Sequence, residues 1–377
     1  MPPSQTPKYY RLSQEIESRI SSGEWSDGRM PSLRELAESS GVSVVTASRA
    51  IQILRDKGII GRMDNSGCYL ANASQSRHAG NVWGLCLRVT PGSWHQLANA
   101  ISRDGFDQVM AKSNDRFLEI FQLDDKVTAE QLEKQIRQAR AAGVQGIFFQ
   151  PSRISEQLLR QDEAFLAACT AEKMPVVLFE RNLRGRYRPL EYDLVAVDDF
   201  DGGVRCTQHL LETGRCRVAV VVASPTSSHE GRVAGYLHAL QTALASGNYP
   251  KLDATPRVIE MPADLSGKAA DRWLADRVQQ FKCDGLFCFQ DSLAVGVMME
   301  LLVRGVNIPR DLAVVGYENL PIGNIFTTGV TTYSYPAEAM VRAGIQLMRM
   351  RIANPNLPPL KVLLRGELIV RESSKPA

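Results

Sequence analysis

The 377-residue sequence has no marked excess of charge: 44 Lys and Arg face 41 Asp and Glu, a formal +3. That balance neither demands nor excludes a nucleic-acid partner, so any such contact must come from a local arrangement. No apolar run reaches the ~18 residues that would span a bilayer, so no membrane partner is expected. The opening "MPPSQTPKYYRLSQE" lacks the apolar stretch of a secretory signal, and the expectation is a cytoplasmic protein. Histidine is scarce, at five residues. The seven cysteines (Cys68, Cys86, Cys169, Cys206, Cys216, Cys283 and Cys288) include no CxxC pair. An odd number with several in apolar strands such as "DGLFCF" suggests buried free thiols rather than a disulfide framework or a metal site. No nucleophile elbow or cofactor-binding lysine motif stands out, so neither catalysis nor a cofactor is expected. What remains is an ordinary globular composition, 44% hydrophobic and 23% charged, long enough for two or three domains.

The first 71 residues read as three short helices and a β-hairpin. Leu12, Ile16 and Ile20 lie four apart on one stripe of a helix over 8–22, which Gly23 ends. Ser32 and Glu35 have the spacing of a capping box at the start of a second helix, with Leu33, Leu36 and Ala37 inward. After the turn "SSGV", Ser43 caps a third helix whose inner side is Ala47, Ala50, Ile51 and Leu54; Gly58 ends it. "IIGRMDNSGCYLA" then reads as two short strands around Asn65-Ser66-Gly67. Three helices and a hairpin make a winged helix-turn-helix, and the alternative is a three-helix docking module with the same core. If the third helix enters a major groove, its outer face offers Ser43, Val44, Val45, Thr46, Ser48, Arg49 and Gln52, with Gly67 in the wing. Valine and threonine methyls suit thymine, glutamine suits adenine, and Arg49 can reach a phosphate, so A·T-rich half-sites are expected.

The residues "MPSLRELAESSGVS…ASRAIQILRDKGII…NSGCYLA" resemble the N-terminal domain of the GntR family of bacterial transcription regulators. The resemblance implies binding to double-stranded operator DNA, and Arg34 matches the arginine of that family's "RELA" stretch. Two arginines usual in the family's third helix are replaced here by Val44 and Ser48. Residues 1–72 carry nine Lys or Arg against eight Asp or Glu, so a single head should bind weakly and a homodimer is expected.

Residues 72–81 read as a linker. Beyond Val82, apolar runs alternate with amphipathic helices: 82–89, 117–123, 144–150, 175–181, 194–197, 217–223, 284–289 and 311–318. Consecutive apolar positions mark strands covered on both faces, hence a doubly wound parallel α/β sheet. About 295 residues is large for one such sheet. Two lobes with a cleft between them are expected, the first about 82–190 and 333–354, the second about 191–332 and 355–377.

"VAVDDFDGGVRCTQHLLETGRCRVAVV", "GRVAGYLHAL", "FCFQDSLAVGV", "IPRDLAVVGYEN" and "TTGVTTYSYPAEAM" are similar to the effector domain of LacI/GalR regulators, and the combination resembles arabinose-responsive repressors. The resemblance implies a small-molecule effector, a carbohydrate, bound between the lobes by Glu180, Arg232, Gln290, Asp291, Glu318 and Tyr335. Carboxylates and a guanidinium at strand ends suit a polyhydroxylated ligand, and Trp94 could stack on a sugar face. Each residue has a structural alternative: an Arg232–Glu318 salt bridge between lobes, Asp291 as a helix cap, Trp94 as packing. Asp201-Gly202-Gly203 is read as a helix start rather than a phosphate loop. The function expected is a ligand-controlled transcription regulator, a repressor; the alternative is a GntR-type head on an enzyme-derived domain.

Overall fold

The stripe Leu12–Ile16–Ile20 forms the buried side of α1 (Lys8–Ser21) in the computed structural model. It describes residues 8–21, 24–25, 29–56, 59, 68–69, 80–87, 95–118, 127–223, 225–325 and 328–375. The chain divides into two compact units, 1–80 and 81–377. Gly23, Gly58, the wing turn with Gly67, most of the linker, and Trp94 lie outside the described residues.

In the first unit, α1 is followed by β1 (Arg29–Met30), α2 (Leu33–Ser39), α3 (Val44–Asp56) and β2 (Cys68–Tyr69). The capping box forms: Ser32 Oγ accepts from the Glu35 amide at 3.3 Å, and the Glu35 carboxylate accepts from the Ser32 amide at 2.7 Å. Ser43 likewise accepts from the Thr46 amide at 3.2 Å, fixing where α3 begins. Ala47, Ala50, Ile51 and Leu54 are at most 1% exposed and pack against Leu12, Ile16, Leu36 and Ala37. The second strand of the expected hairpin is β2, while most of the first lies outside the described residues; β2 pairs antiparallel with β1, ahead of α2, in register Arg29↔Tyr69 and Met30↔Cys68. Two residues are too few to show period-2 alternation, so β1 left no sequence signal.

The second unit opens with β3 (Val82–Leu87), α4 (His95–Ala111), β4 (Arg116–Leu118), α5 (Ala129–Ala141), β5 (Val144–Gln150), α6 (Glu156–Ala171), β6 (Val176–Phe179) and β7 (Asp193–Val197). The chain then crosses to α7 (Asp199–Glu212), β8 (Val218–Val222), α8 (Ser227–Ser246), β9 (Val258–Glu260), α9 (Gly267–Gln280), β10 (Gly285–Cys288), α10 (Asp291–Val303), β11 (Ala313–Glu318), α11 (Pro321–Ile325) and β12 (Thr331–Ser334). It returns through α12 (Ala337–Ala353) and β13 (Lys361–Leu364) and ends with β14 (Glu367–Ile369).

These strands form two six-stranded sheets, one per lobe, in orders β13-β7-β6-β5-β3-β4 and β14-β12-β11-β10-β8-β9. Every pairing in them is parallel except β12–β14. Central strands such as β7 and β8 are buried at every position, as their unbroken apolar runs require. The lobe boundaries differ from expectation. The expectation places residues 193–197 and 361–364 in the second lobe, yet β7 and β13 complete the first sheet, paired Leu194 with Lys361. β13 is a four-residue edge strand of alternating exposure, and its apolar stretch Val362–Leu364 is too short to reveal a buried strand.

Asp198 caps α7, so the glycines after it lie inside a helix rather than a phosphate loop. Their use is close packing: a Cβ on Gly203 would come 2.3 Å from the Arg232 carbonyl, and one on Gly235 2.2 Å from the Phe200 carbonyl. Glycine therefore lets α7 and α8 approach backbone to backbone.

Candidate functional site

Two surfaces collect the residues singled out in the sequence. On the head, the inward set of α3 leaves the opposite face in solvent. Val44 is 47% exposed and Val45 66%. Ser48, Arg49 and Gln52 share that exposed face, and Arg34 is exposed on α2. Ser43 and Thr46 are partly committed to each other, with hydroxyls 2.9 Å apart.

In the second unit, strands of a parallel sheet all end on one side, and their C-terminal ends bring side chains from both lobes to a common cleft. From the first lobe come Gln150, Arg153, Glu180 and Arg181; from the second, Arg232, Gln290 and Glu318. Asp199 and Tyr335 lie on the segments that cross between lobes. All but Tyr335 are at most 8% exposed. Buried charge is costly unless paired, and here each guanidinium faces a carboxylate. Arg232 donates to Asp199 (2.8 Å), the Phe289 carbonyl (2.7 Å) and the Tyr335 hydroxyl (2.9 Å), and lies 3.7 Å over the Tyr317 ring. Burial acts against its charge, but Asp199 and the tyrosine oxygens outweigh it and hold the pKa well above the ordinary arginine value. Arg181 donates to the Glu180 carboxylate and to the Pro151 carbonyl at 2.9 Å, and Ser102 donates to the other Glu180 oxygen. Arg153 sits 3.8 Å from Glu318, which also accepts from Gln290 at 2.6 Å. Burial raises the Glu318 pKa, and Arg153 works against that rise.

Both glutamates occupy left-handed backbone, φ 68° at Glu180 and 89° at Glu318. Residues other than glycine rarely adopt this, and such outliers gather where a side chain has to be aimed. Gln150, fully buried on the sheet face shared with Phe148, has no hydrogen-bond partner at either end of its amide. A cavity of about 760 Å³ opens beside the crossings and is lined by Asp104, Glu318, Tyr335, Glu338 and Arg342, among others.

The structure thus gathers Glu180, Arg232, Gln290, Glu318 and Tyr335; it departs from the alternative of an Arg232–Glu318 bridge and from the expectation for Asp291. Arg232 pairs with Asp199, and Glu318 with Arg153, so the Arg232–Glu318 bridge is replaced by two separate pairs. Asp291 is not on the cleft floor: its carboxylate accepts from the Leu320 amide at 2.7 Å beneath the β11–α11 turn, beside Gly316 and Gly323. Nor is it the cap of α10, where Gln290 holds the N-cap position. Burial pushes its pKa up to about 8, against the pull of Thr332 and the Leu320 amide. Sequence reasoning missed Gln150, Arg153, Arg181 and Asp199. The available signal was position, since Gln150, Arg153 and Arg181 all end or follow strands that were recognised.

Across from the crossings, the loop after β6 touches the second lobe. The Gly185 amide donates to the Pro225 carbonyl (2.8 Å), the Asn182 amide to Ser227 Oγ (3.2 Å), and Arg186 lies 3.4 Å from Glu260.

A solvent-facing recognition helix and a two-lobed receptor with a polar cleft define a ligand-responsive DNA-binding regulator. Residues 8–70 match the gntR family of bacterial regulatory proteins, and residues 207–374 match the periplasmic binding protein-like domain. The chain is similar to the arabinose metabolism transcriptional repressor of Geobacillus stearothermophilus, 22% identical over 379 aligned positions covering 98% of each chain. Its fold is that of a LacI family regulator from Enterococcus faecium with bound ribose (TM-score 0.58, 20% identity, 79% of this chain and all of that one). A transcriptional regulator CelR–cellobiose complex is similar at TM-score 0.59, with 20% identity over 91% of this chain and all of that one. The protein is a transcriptional regulator with a GntR-type helix-turn-helix head, which contacts operator DNA, and a periplasmic-binding-protein-like effector domain. Its relatives are regulators, which gives the enzyme-derived alternative no support. No described helix is long and apolar enough to cross a membrane, and the described residues hold no group of three or more metal-ligating side chains.

Proposed function

We propose that this protein is a cytoplasmic, non-catalytic repressor that binds operator DNA as a homodimer and is controlled by a polyhydroxylated effector held in the cleft. One observation carries the reading: side chains from both lobes, buried yet polar, converge at the strand ends, and Gln150 has its whole amide unpartnered. Gln150, Glu180, Gln290 and Glu318 offer donors and acceptors to hydroxyls, Arg232 and Tyr335 mark the crossing side, and Trp94 is the stacking candidate. The relatives named for arabinose, and solved with ribose and cellobiose, support a carbohydrate. A ligand bridging the lobes favours one interlobe angle, and a dimer converts that angle into the separation of its two heads. Lowering operator affinity 100-fold needs only about 2.7 kcal/mol of coupling, within reach of a few charged hydrogen bonds.

On the head, Ser43, Val44, Val45, Thr46, Ser48, Arg49, Gln52 and Arg34, with Gly67 in the wing, form the DNA contact surface. The test is to select an operator from random DNA and titrate the full chain with arabinose, ribose and cellobiose. One of them should weaken operator binding, and operator should weaken that sugar's binding by the same factor. Gln150→Leu should keep operator affinity and lose the sugar response. Equal affinity for the sugar with and without operator would rule the coupling out.

A further inference from the structure

The charges in the cleft say more about the effector than its being polyhydroxylated. Three guanidinium groups and three carboxylates occupy the floor, in the pairs Arg232–Asp199, Arg181–Glu180 and Arg153–Glu318. All six side chains are at least nine-tenths buried, so solvent cannot compensate a seventh charge. The mouth has no surplus cation either: Arg342 and Lys112 both donate to Glu338 at 2.7 Å, and Asp104 adds an acid. Among the described residues, an anionic ligand therefore meets no cation without a carboxylate already beside it. A sugar hydroxyl, donor and acceptor at once, fits lone pairs remaining on Glu180 and Glu318 and both ends of Gln150 without disturbing the balance.

We infer that the effector is uncharged at neutral pH, a sugar or polyol rather than a sugar acid or sugar phosphate, and that Glu318 sets this choice by neutralising Arg153. The inference rests on the carbohydrate reading of the cleft. Burial lowers the Arg153 pKa, with Arg181 adding to the effect and Glu318 opposing it, which shows how closely the cationic state depends on its partners. Removing the Glu318 charge should leave the floor with three guanidinium groups against two carboxylates and open the site to a carboxylate.

The experiment measures binding to the full chain by calorimetry and thermal shift for matched probes: arabinose and arabinonate, cellobiose and cellobionate, ribose with ribonate and ribose 5-phosphate. In the native protein, the neutral member of the set that binds should do so at least tenfold more tightly than its charged counterpart. Glu318→Gln, which keeps the side-chain length and one acceptor, should shift the ratio at least tenfold toward the acid. Glu180→Gln makes the same change beside Arg181 and carries the test should the first variant not fold. Charged probes binding the native protein as tightly as neutral ones overturn the inference and leave the carbohydrate reading standing. A folded Glu318→Gln protein with an unchanged ratio overturns the role of Glu318. If no probe binds, both this inference and the carbohydrate reading fall.

Discussion

In the head, two valines lead α3 into solvent, while in the cleft of the second unit the six side chains of three ion pairs are buried nine-tenths or more. Each region inverts the usual placement, in opposite senses and at different cost. An exposed valine forgoes roughly 1.5–3 kcal/mol of burial and needs no partner to be tolerated. A buried guanidinium needs its partner in place, because removing one member of such a pair strands the other. The head therefore displays its exposed valines on one short segment, whereas the cleft assembles its charges from strand ends and crossings, most of them far apart in sequence. An exposed face can be local; of the three buried pairs only Glu180–Arg181 is local, and the other two join residues distant in sequence.

The sharpest way to break this comparison is Arg232→Ala, which leaves Asp199 buried without its cation and removes the bonds to Phe289 and Tyr335. The expected loss is about 3–5 kcal/mol of stability in urea titration. Adding Asp199→Asn should recover part of it, since the stranded charge goes too. A loss below ~1 kcal/mol would mean that the cleft charges are no more interdependent than surface ones.

A second effect depends on pH. The Asp291 pKa is raised from the ordinary aspartate value of 3.8 to about 8 in the folded protein. The sign follows: a raised folded pKa contributes stability below about 4 that is lost as pH rises toward 8, at about 1.4 kcal/mol for each unit. The stability of the native protein relative to Asp291→Asn should therefore fall between pH 5 and pH 7. A constant difference would show that Asp291 is ionised throughout.

On the head, smaller effects are expected. Replacing Val44 and Val45 together by alanine should cost about 1–2 kcal/mol of preference for thymine-containing half-sites, from lost methyl contacts. Stability should stay within about 0.5 kcal/mol, since both side chains face solvent. Guanine-dominated sites selected by the native protein would contradict this reading. Smallest is Ser32→Ala, which removes the cap of α2 and should lower stability by about 1 kcal/mol. Calorimetric unfolding of the full chain checks it, through the transition assigned to the head.

Within the head, the i, i+3, i+4, i+7 spacing of Ala47, Ala50, Ile51 and Leu54 already stated which face of α3 is buried, and Ser32 and Ser43 where the helices begin. The unbroken apolar runs of β7 and β8 likewise declared strands covered on both sides. These features are local: periodicity and capping act within a few residues, and a reader needs no more than those residues to see them. Tertiary structure alone decided that β7 and β13 share a sheet, that β1 is the partner of β2, and that Asp291 supports a turn rather than facing the cleft. It alone decided that Arg232 pairs with Asp199, 33 positions away, and Arg153 with Glu318. The reason is physical: a buried charge is neutralised by whichever opposite charge the chain brings within a few ångströms, and spacing along the sequence carries no record of that distance.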